Sequence, residues 1–196
     1  VQYKPVDEDV MTGTPKERLI GLLREHSYRE GDFVLASGRP SRFYVDVRRT
    51  ALRGDGARLI GALIIDAIVA QGWDPRAVGG LTLGADPLAT AAALAADERG
   101  LEIDSFIVRK EPKGHGTGRQ IEWAGGIPAG ASVVVLDDSM TTGGSTLKAV
   151  EVLRADGFHV LGAVCVVDRQ EGALETLTEA GVPLVAIVGL DELRAD

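Results

Sequence analysis

The stretch VVVLDDSMTTGGST, residues 133–146, holds the densest set of groups able to do chemistry in this chain. An apolar run ends in two acids, Asp137 and Asp138. Ser139, Thr141, Thr142, Gly143, Gly144, Ser145 and Thr146 follow before a helical pattern resumes. A strand that passes into a helix through such a turn aims several backbone N–H groups at one point. The helix N-terminus there adds partial positive charge. Glycines let the backbone close on an anion and the hydroxyls add donors, so the turn reads as a cradle for a phosphate. The two carboxylates beside it would repel a bare phosphate. They suit another part of the same ligand: the 2′- and 3′-hydroxyls of a ribose, or the water shell of a bound Mg2+. The spacing is neither that of a P-loop, which needs a lysine after its second glycine, nor GxGxxG.

The elements that position this turn follow from the pattern around it. Hydrophobic residues make up 45% of the 196-residue chain and charged residues 26%, the balance of a globular domain. Aromatics are only 5%, and a core of Ala, Val, Leu and Gly suits parallel strands covered by helices on both faces. Thr14 as N-cap, Pro15 and Glu17 open a helix over PKERLIGLLREHS. FVLASG and RPSRFYVDVRR read as two short strands joined by a turn at residues 37–41. From residue 55 onward, helices (55–71, 87–99, 145–156, 171–180) alternate with strands AVGGLTL, IDSFIVRK, ASVVVLDD, HVLGAVCVVD and PLVAIVGL. That rhythm predicts a right-handed βαβ arrangement with about five parallel strands.

The net charge of −8 disfavours nonspecific attraction to nucleic acid or to an anionic membrane, so an anionic ligand needs a local site. The single cysteine, Cys165, rules out an intramolecular disulfide and a cysteine-built metal site, and its apolar surroundings predict a buried strand residue. No signal-peptide pattern or membrane-length apolar stretch is seen, and a cytoplasmic location is the expectation. Residues 1–14 read as a flexible lead-in and 15–196 as a single domain.

An apolar strand, two acids and TTGGST together resemble the signature of type I phosphoribosyltransferases, which bind phosphoribosyl pyrophosphate (PRPP). Three more segments narrow the resemblance. FVLASGRPSRFYVD is similar to the N-terminal hood of orotate phosphoribosyltransferases, RKEPKGHG to their catalytic loop, and VVDRQEG to a later strand end that carries an arginine. These run in the family's order from about residue 32 to residue 172. The resemblance implies an α/β fold: a central, mostly parallel sheet of about five strands flanked by helices. The small hood would fall within 15–50, the core within 51–196 and a mobile catalytic loop at 110–122. It also implies transfer of ribosyl 5-phosphate from PRPP to orotate, giving orotidine 5′-monophosphate and pyrophosphate in de novo pyrimidine (UMP) biosynthesis, with Mg2+ as cofactor. The metal would be held mainly by PRPP, through water to Asp137 and Asp138.

On that resemblance the catalytic residues would be Lys113, His115, Asp137 and Asp138. PRPP would be bound by these four together with Arg109, Lys110, Ser139, Thr141, Thr142, Gly143, Gly144 and Ser145. Orotate would meet Thr141, Arg169, Phe43 and Tyr44. Arg169 suits a carboxylate independently of any family, because a planar guanidinium binds one through two parallel hydrogen bonds. Lys110, Lys113, His115 and Arg119 concentrate positive charge among Gly114, Gly116 and Gly118, as a lid over pyrophosphate would require. In the family this loop reaches the neighbouring subunit's site, which implies a homodimer. Two departures remove family lysines: Ala36 stands before the hood's SGR, and Gly84 stands in the loop TLGADPLA. They shift the expected load to Arg48, Arg109 and Lys110. Transfer to another nucleobase, or PRPP sensing by a regulator of this fold, are the alternative readings. Neither nucleic acid nor membrane is an expected partner.

Overall fold

Thr14 and Glu17 close the first helix with a reciprocal pair of hydrogen bonds. Glu17 N donates to the Thr14 hydroxyl at 3.2 Å and Thr14 N donates to Glu17 Oε2 at 2.7 Å. Pro15 takes the first helical position, where a missing N–H costs nothing. This computed structural model describes residues 13–34, 40–112, 120–123 and 127–194. Most of the lead-in and of the 37–41 turn therefore lies outside the described residues. Helix α1, Pro15–Leu22, widens into a π-helical turn, Leu23–Ser27. The chain then enters strand β1, Tyr28–Val34, which pairs antiparallel with β2, Pro40–Val45. The first strand thus starts earlier than FVLASG. The short helix α2, Arg48–Ala51, follows. Ser27 and Thr50 share a buried 2.7 Å hydroxyl bond that pins α2 to the π-turn.

The alternation continues with α3 (Gly54–Ala70), β3 (Ala77–Leu81), α4 (Ala85–Asp97), β4 (Asp104–Val108) and β5 (Ile121–Trp123). After these come β6 (Ser132–Met140), α5 (Gly144–Ala155), β7 (His159–Asp168), α6 (Ala173–Glu179), β8 (Leu184–Gly189) and α7 (Leu190–Arg194). The main sheet has the order β5-β4-β3-β6-β7-β8. Five of its strands are parallel, as the alternation predicts. The sixth, β5, is an antiparallel edge strand on β4. It spans three residues, too short to show a period.

Successive residues of β6 face opposite layers, as the two-residue repeat of a strand requires. Val134 and Leu136 join the core under α1, α3 and α4, while Val133 and Val135 join the core under α5 and α6. Cys165 is free and buried in β7, and its burial pushes the thiol pKa up. Among the described residues no helix is long and apolar enough to cross a membrane. The connection after β3 leads to β4 on one side, and that after β6 leads to β7 on the other. The neighbours β3 and β6 therefore flank the point where the winding reverses, where open α/β sheets leave a crevice at their carboxyl edge.

Candidate active site

A cleft of about 330 Å³ opens at that reversal point. The end of β6 supplies Asp137, Asp138 and Ser139, the start of α5 supplies Ser145, and the loop after β3 supplies residues 82–84. Asp46 and Arg48 reach it from the hood, and Lys110 from the start of the basic loop. Strand β6 runs on through Met140, so the acidic pair sits on paired, rigid backbone.

The two aspartates, equivalent in the sequence, have different surroundings. Asp137 is buried and both its oxygens are used internally: Oδ2 accepts from Ser145 Oγ at 2.8 Å and Thr146 Oγ1 at 2.7 Å, and Oδ1 from Asp138 N at 3.0 Å. It ties the strand to the first turn of α5. Asp138 turns into the cleft, with Oδ1 accepting from Ser139 N at 2.8 Å. Burial, reinforced by the charge of Asp137, pushes the Asp138 pKa up to about 6, while the Ser139 N–H and Arg48 oppose that shift. A carboxylate in this condition is stabilised by hydroxyl donors or a cation arriving in the cleft. Ser145, expected on the phosphate, is thus engaged with Asp137. Thr146, whose hydroxyl belongs to the expected cradle, is buried and donates to Asp137 as well.

Gly143 has φ +77°, a left-handed conformation that L side chains avoid, and it serves as the N-cap of α5. No side chain caps this helix, and Gly144 and Ser145 are exposed at its opening. Thr141 is half-buried and Thr142 exposed on the same turn. The first turn of α5 is accordingly open to an anion.

Gly84 is needed for close approach. A Cβ there would stand 2.7 Å from Asp138 Oδ1. Gly84→Ala must therefore displace the Asp138 carboxylate, and the expected result is a rise in KM for the ribose-phosphate donor with thermal stability retained. An unchanged KM would show that Asp138 tolerates displacement.

The basic loop is held at its stem. Arg109 N donates to Gln120 O at 2.8 Å, and Gln120 Nε2 donates to Arg109 O at 2.7 Å. Lys148 Nζ, from α5, donates to Lys110 O at 3.1 Å. Arg109 pairs with Glu122 of β5 at 2.8 Å and is engaged at the stem, whereas Lys110 lines the cleft. The stem closes at Gln120, because residues 121 and 122 belong to β5. Lys113, His115 and Arg119 lie outside the described residues, as does Ala36.

Arg169 follows β7, its N–H donating to Met140 O at 2.9 Å, which puts it beside the phosphate turn. Its side chain is 8% exposed. Nη2 stands 2.9 Å from Glu171 Oε1, yet neither Nε nor Nη2 has an aligned hydrogen-bond acceptor among the described residues. The guanidinium lies 5.0 Å from the Phe43 ring centroid, and that of Arg194 lies 4.3 Å from the same ring. Adjacent residues of β2 face opposite ways, with Phe43 half-buried and Tyr44 exposed. Phe43 packs with Arg169 on the core side. Tyr44 packs on Phe33, with ring centroids 5.6 Å apart, and is near enough to act on the charge of Arg48. Arg194 was not legible as a site neighbour, because its place depends on the docking of α7.

The phosphoribosyl transferase domain model matches residues 54–181. The orotate phosphoribosyltransferase of Sorangium cellulosum is 46% identical over 174 residues, covering 88% of this chain and 89% of its own. The crystal structure of Mycobacterium tuberculosis H37Rv orotate phosphoribosyltransferase with Fe(III) dicitrate superposes with a TM-score of 0.82 at 40% identity, covering 93% of this chain and 100% of that one. The structure of the same enzyme with PRPP gives a TM-score of 0.78 at 37% identity, with the same coverage.

Proposed function

The chain belongs to the orotate phosphoribosyltransferases, and on that premise we propose that it joins N1 of orotate to the anomeric carbon of PRPP, giving orotidine 5′-monophosphate and pyrophosphate. The observation that carries the choice of base is Arg169, a buried guanidinium with two N–H-bearing nitrogens lacking aligned acceptors beside an aromatic ring. Such donors are costly to bury unless a ligand fills them. Orotate offers a carboxylate on a flat ring, matched to the guanidinium and to Phe43. The measurement is PRPP-dependent loss of orotate absorbance with Mg2+ present. A panel of other bases should give none, and absence of loss with orotate would sink the assignment.

The roles follow from where charge develops. As the bond to pyrophosphate breaks, the ribose ring gains positive and the leaving group negative charge. Asp138 accepts from the ribose hydroxyls and lies beside the ring as it becomes cationic. Asp137 keeps the α5 turn in shape while the backbone of that turn holds the 5′-phosphate. Lys113, assisted by His115, stabilises the leaving group, as preorganised charge does where charge appears. Among the described residues no cluster of three His, Cys, Asp or Glu side chains could cage a metal. The cleft does present Asp138, a carboxylate whose only side-chain-oxygen hydrogen bond among the described residues is from Ser139 N. A Mg2+ carried in on PRPP would be held on the protein side by Asp138; Asp137, the other expected partner, has both oxygens on Asp138 N, Ser145 and Thr146. When bound, the ion neutralises charge on the pyrophosphate.

Lys113→Ala is expected to lower kcat more than tenfold while leaving orotate affinity nearly unchanged; equal turnover would remove the loop from the mechanism. Two copies of the chain are proposed to share loops. Mixing Lys113→Ala with Asp138→Asn should then restore part of the activity. No rescue after verified subunit exchange would count against sharing.

A further inference from the structure

Along the cleft the donor site has an order. Asp137 contacts Ser145 and Thr146 of the phosphate turn, and next to it Asp138 abuts Gly84. Arg48, from the hood, and the 82–84 loop line the same cleft, and Arg48 is near enough to Asp138 for their charges to interact. A ribose anchored on Asp138 with its 5′-phosphate on the turn therefore sends its pyrophosphate toward Arg48. Residue 84 is a glycine and supplies no cation there. The cations lining the cleft among the described residues are Arg48 and Lys110.

Arg48 is prepared for an anion in three respects. Its Nε is fixed by Asp46 Oδ1 at 2.8 Å. Among the described residues its Nη1 and Nη2 have no acceptor, and its side chain is 46% exposed. The backbone beneath it is rigid: Val47 and Thr50 are fully buried, and Thr50 bonds to Ser27. A guanidinium held at one nitrogen with two others free loses little freedom on forming a forked pair with a phosphate.

We propose that Arg48 is the fixed cation receiving the pyrophosphate end of the donor, and that Asp46 is its positioning residue. The pair supplies the charge that Gly84 does not. The proposal rests on the donor reading above, and it deepens that reading by naming the group that meets the leaving end.

The test separates the two ends of the donor. Pyrophosphate and ribose 5-phosphate are titrated calorimetrically, each with Mg2+, into the full chain and its variants. Arg48→Gln should weaken pyrophosphate about tenfold or more and leave ribose 5-phosphate within about twofold. Asp46→Asn should weaken pyrophosphate alone by a smaller factor, and Arg48→Lys should fall between wild type and Arg48→Gln. In turnover, KM for PRPP should rise while KM for orotate holds. Equal weakening of both probes, or undisturbed pyrophosphate binding, would overturn the proposal. Ribose 5-phosphate binding verifies that each variant is folded. If Arg48→Gln fails to fold, Arg48→Lys and Asp46→Asn carry the same comparison. Wild-type protein that discriminates the probes as stated but does not consume orotate would refute the activity and leave Arg48 in place.

Discussion

Arg169→Met is expected to lower kcat/KM for orotate about 10²- to 10³-fold and to leave PRPP binding unchanged. Truncating one partner of a buried charge pair costs about 2–5 kcal/mol, and each 1.4 kcal/mol is about a factor of ten. Methionine keeps the stem length and the contact with Phe43, so the packed volume beside α7 is retained. Glu171, which loses its neighbour, has a side chain 24% exposed and can be solvated. The effect should therefore appear in the base site rather than in folding. Calorimetry with PRPP supplies the control. If orotate kcat/KM fell less than about threefold, Arg169 would be a structural partner of Glu171, and base selection would lie elsewhere.

Asp138→Asn should make a more stable and much less active protein. At pH 8 the Asp138 carboxylate is ionised in a buried place next to Asp137, which its folded-state pKa of about 6 registers. An unfolded chain holds the same group near 4, so folding is opposed when the carboxylate is charged. The sign follows: the penalty is fully present above pH 6 and disappears as the pH falls through 6 toward 4. Its ceiling is on the order of 3 kcal/mol, two units at 1.36 kcal/mol each. Asparagine retains an oxygen to accept from Ser139 N. The ligand-free variant should therefore melt higher than wild type at pH 8 and match it near pH 4. Its kcat/KM for PRPP should fall by about 10- to 10²-fold, because ribose hydroxyls lose a charged acceptor worth about 1.5–3 kcal/mol. In wild type, PRPP affinity should weaken as the pH drops through about 6. Equal melting of the two proteins at pH 8 would mean that the carboxylate carries no such penalty. The trade is an expected one, since active sites store destabilising charge.

Local chemistry in the sequence reaches far in this chain. The capping of α1, the alternation of strands and helices, and the phosphate turn each depend on residues near one another in the chain. Thr14 with Glu17, the apolar run of β6, and Gly143 at a left-handed φ are legible for that reason. The motif DDSMTTGGST announces an anion site with carboxylates beside it, because backbone geometry alone builds most of it.

Tertiary structure decided how those groups divide the work. Two adjacent aspartates look alike in sequence, yet strand alternation and the docking of α5 bury one under two hydroxyls and turn the other into the cleft. The Ser145 hydroxyl finds a partner in Asp137 by the same packing. Phe43 and Tyr44 separate onto opposite faces of β2, and Arg194 reaches Phe43 only because α7 folds back against the hood. Arg48, Gly84 and Asp138 lie far apart in the chain and meet where β3 and β6 reverse the winding of the sheet. Short-range order follows from the residues themselves, whereas the direction of a side chain and its partner across the cleft depend on which distant element packs beside it.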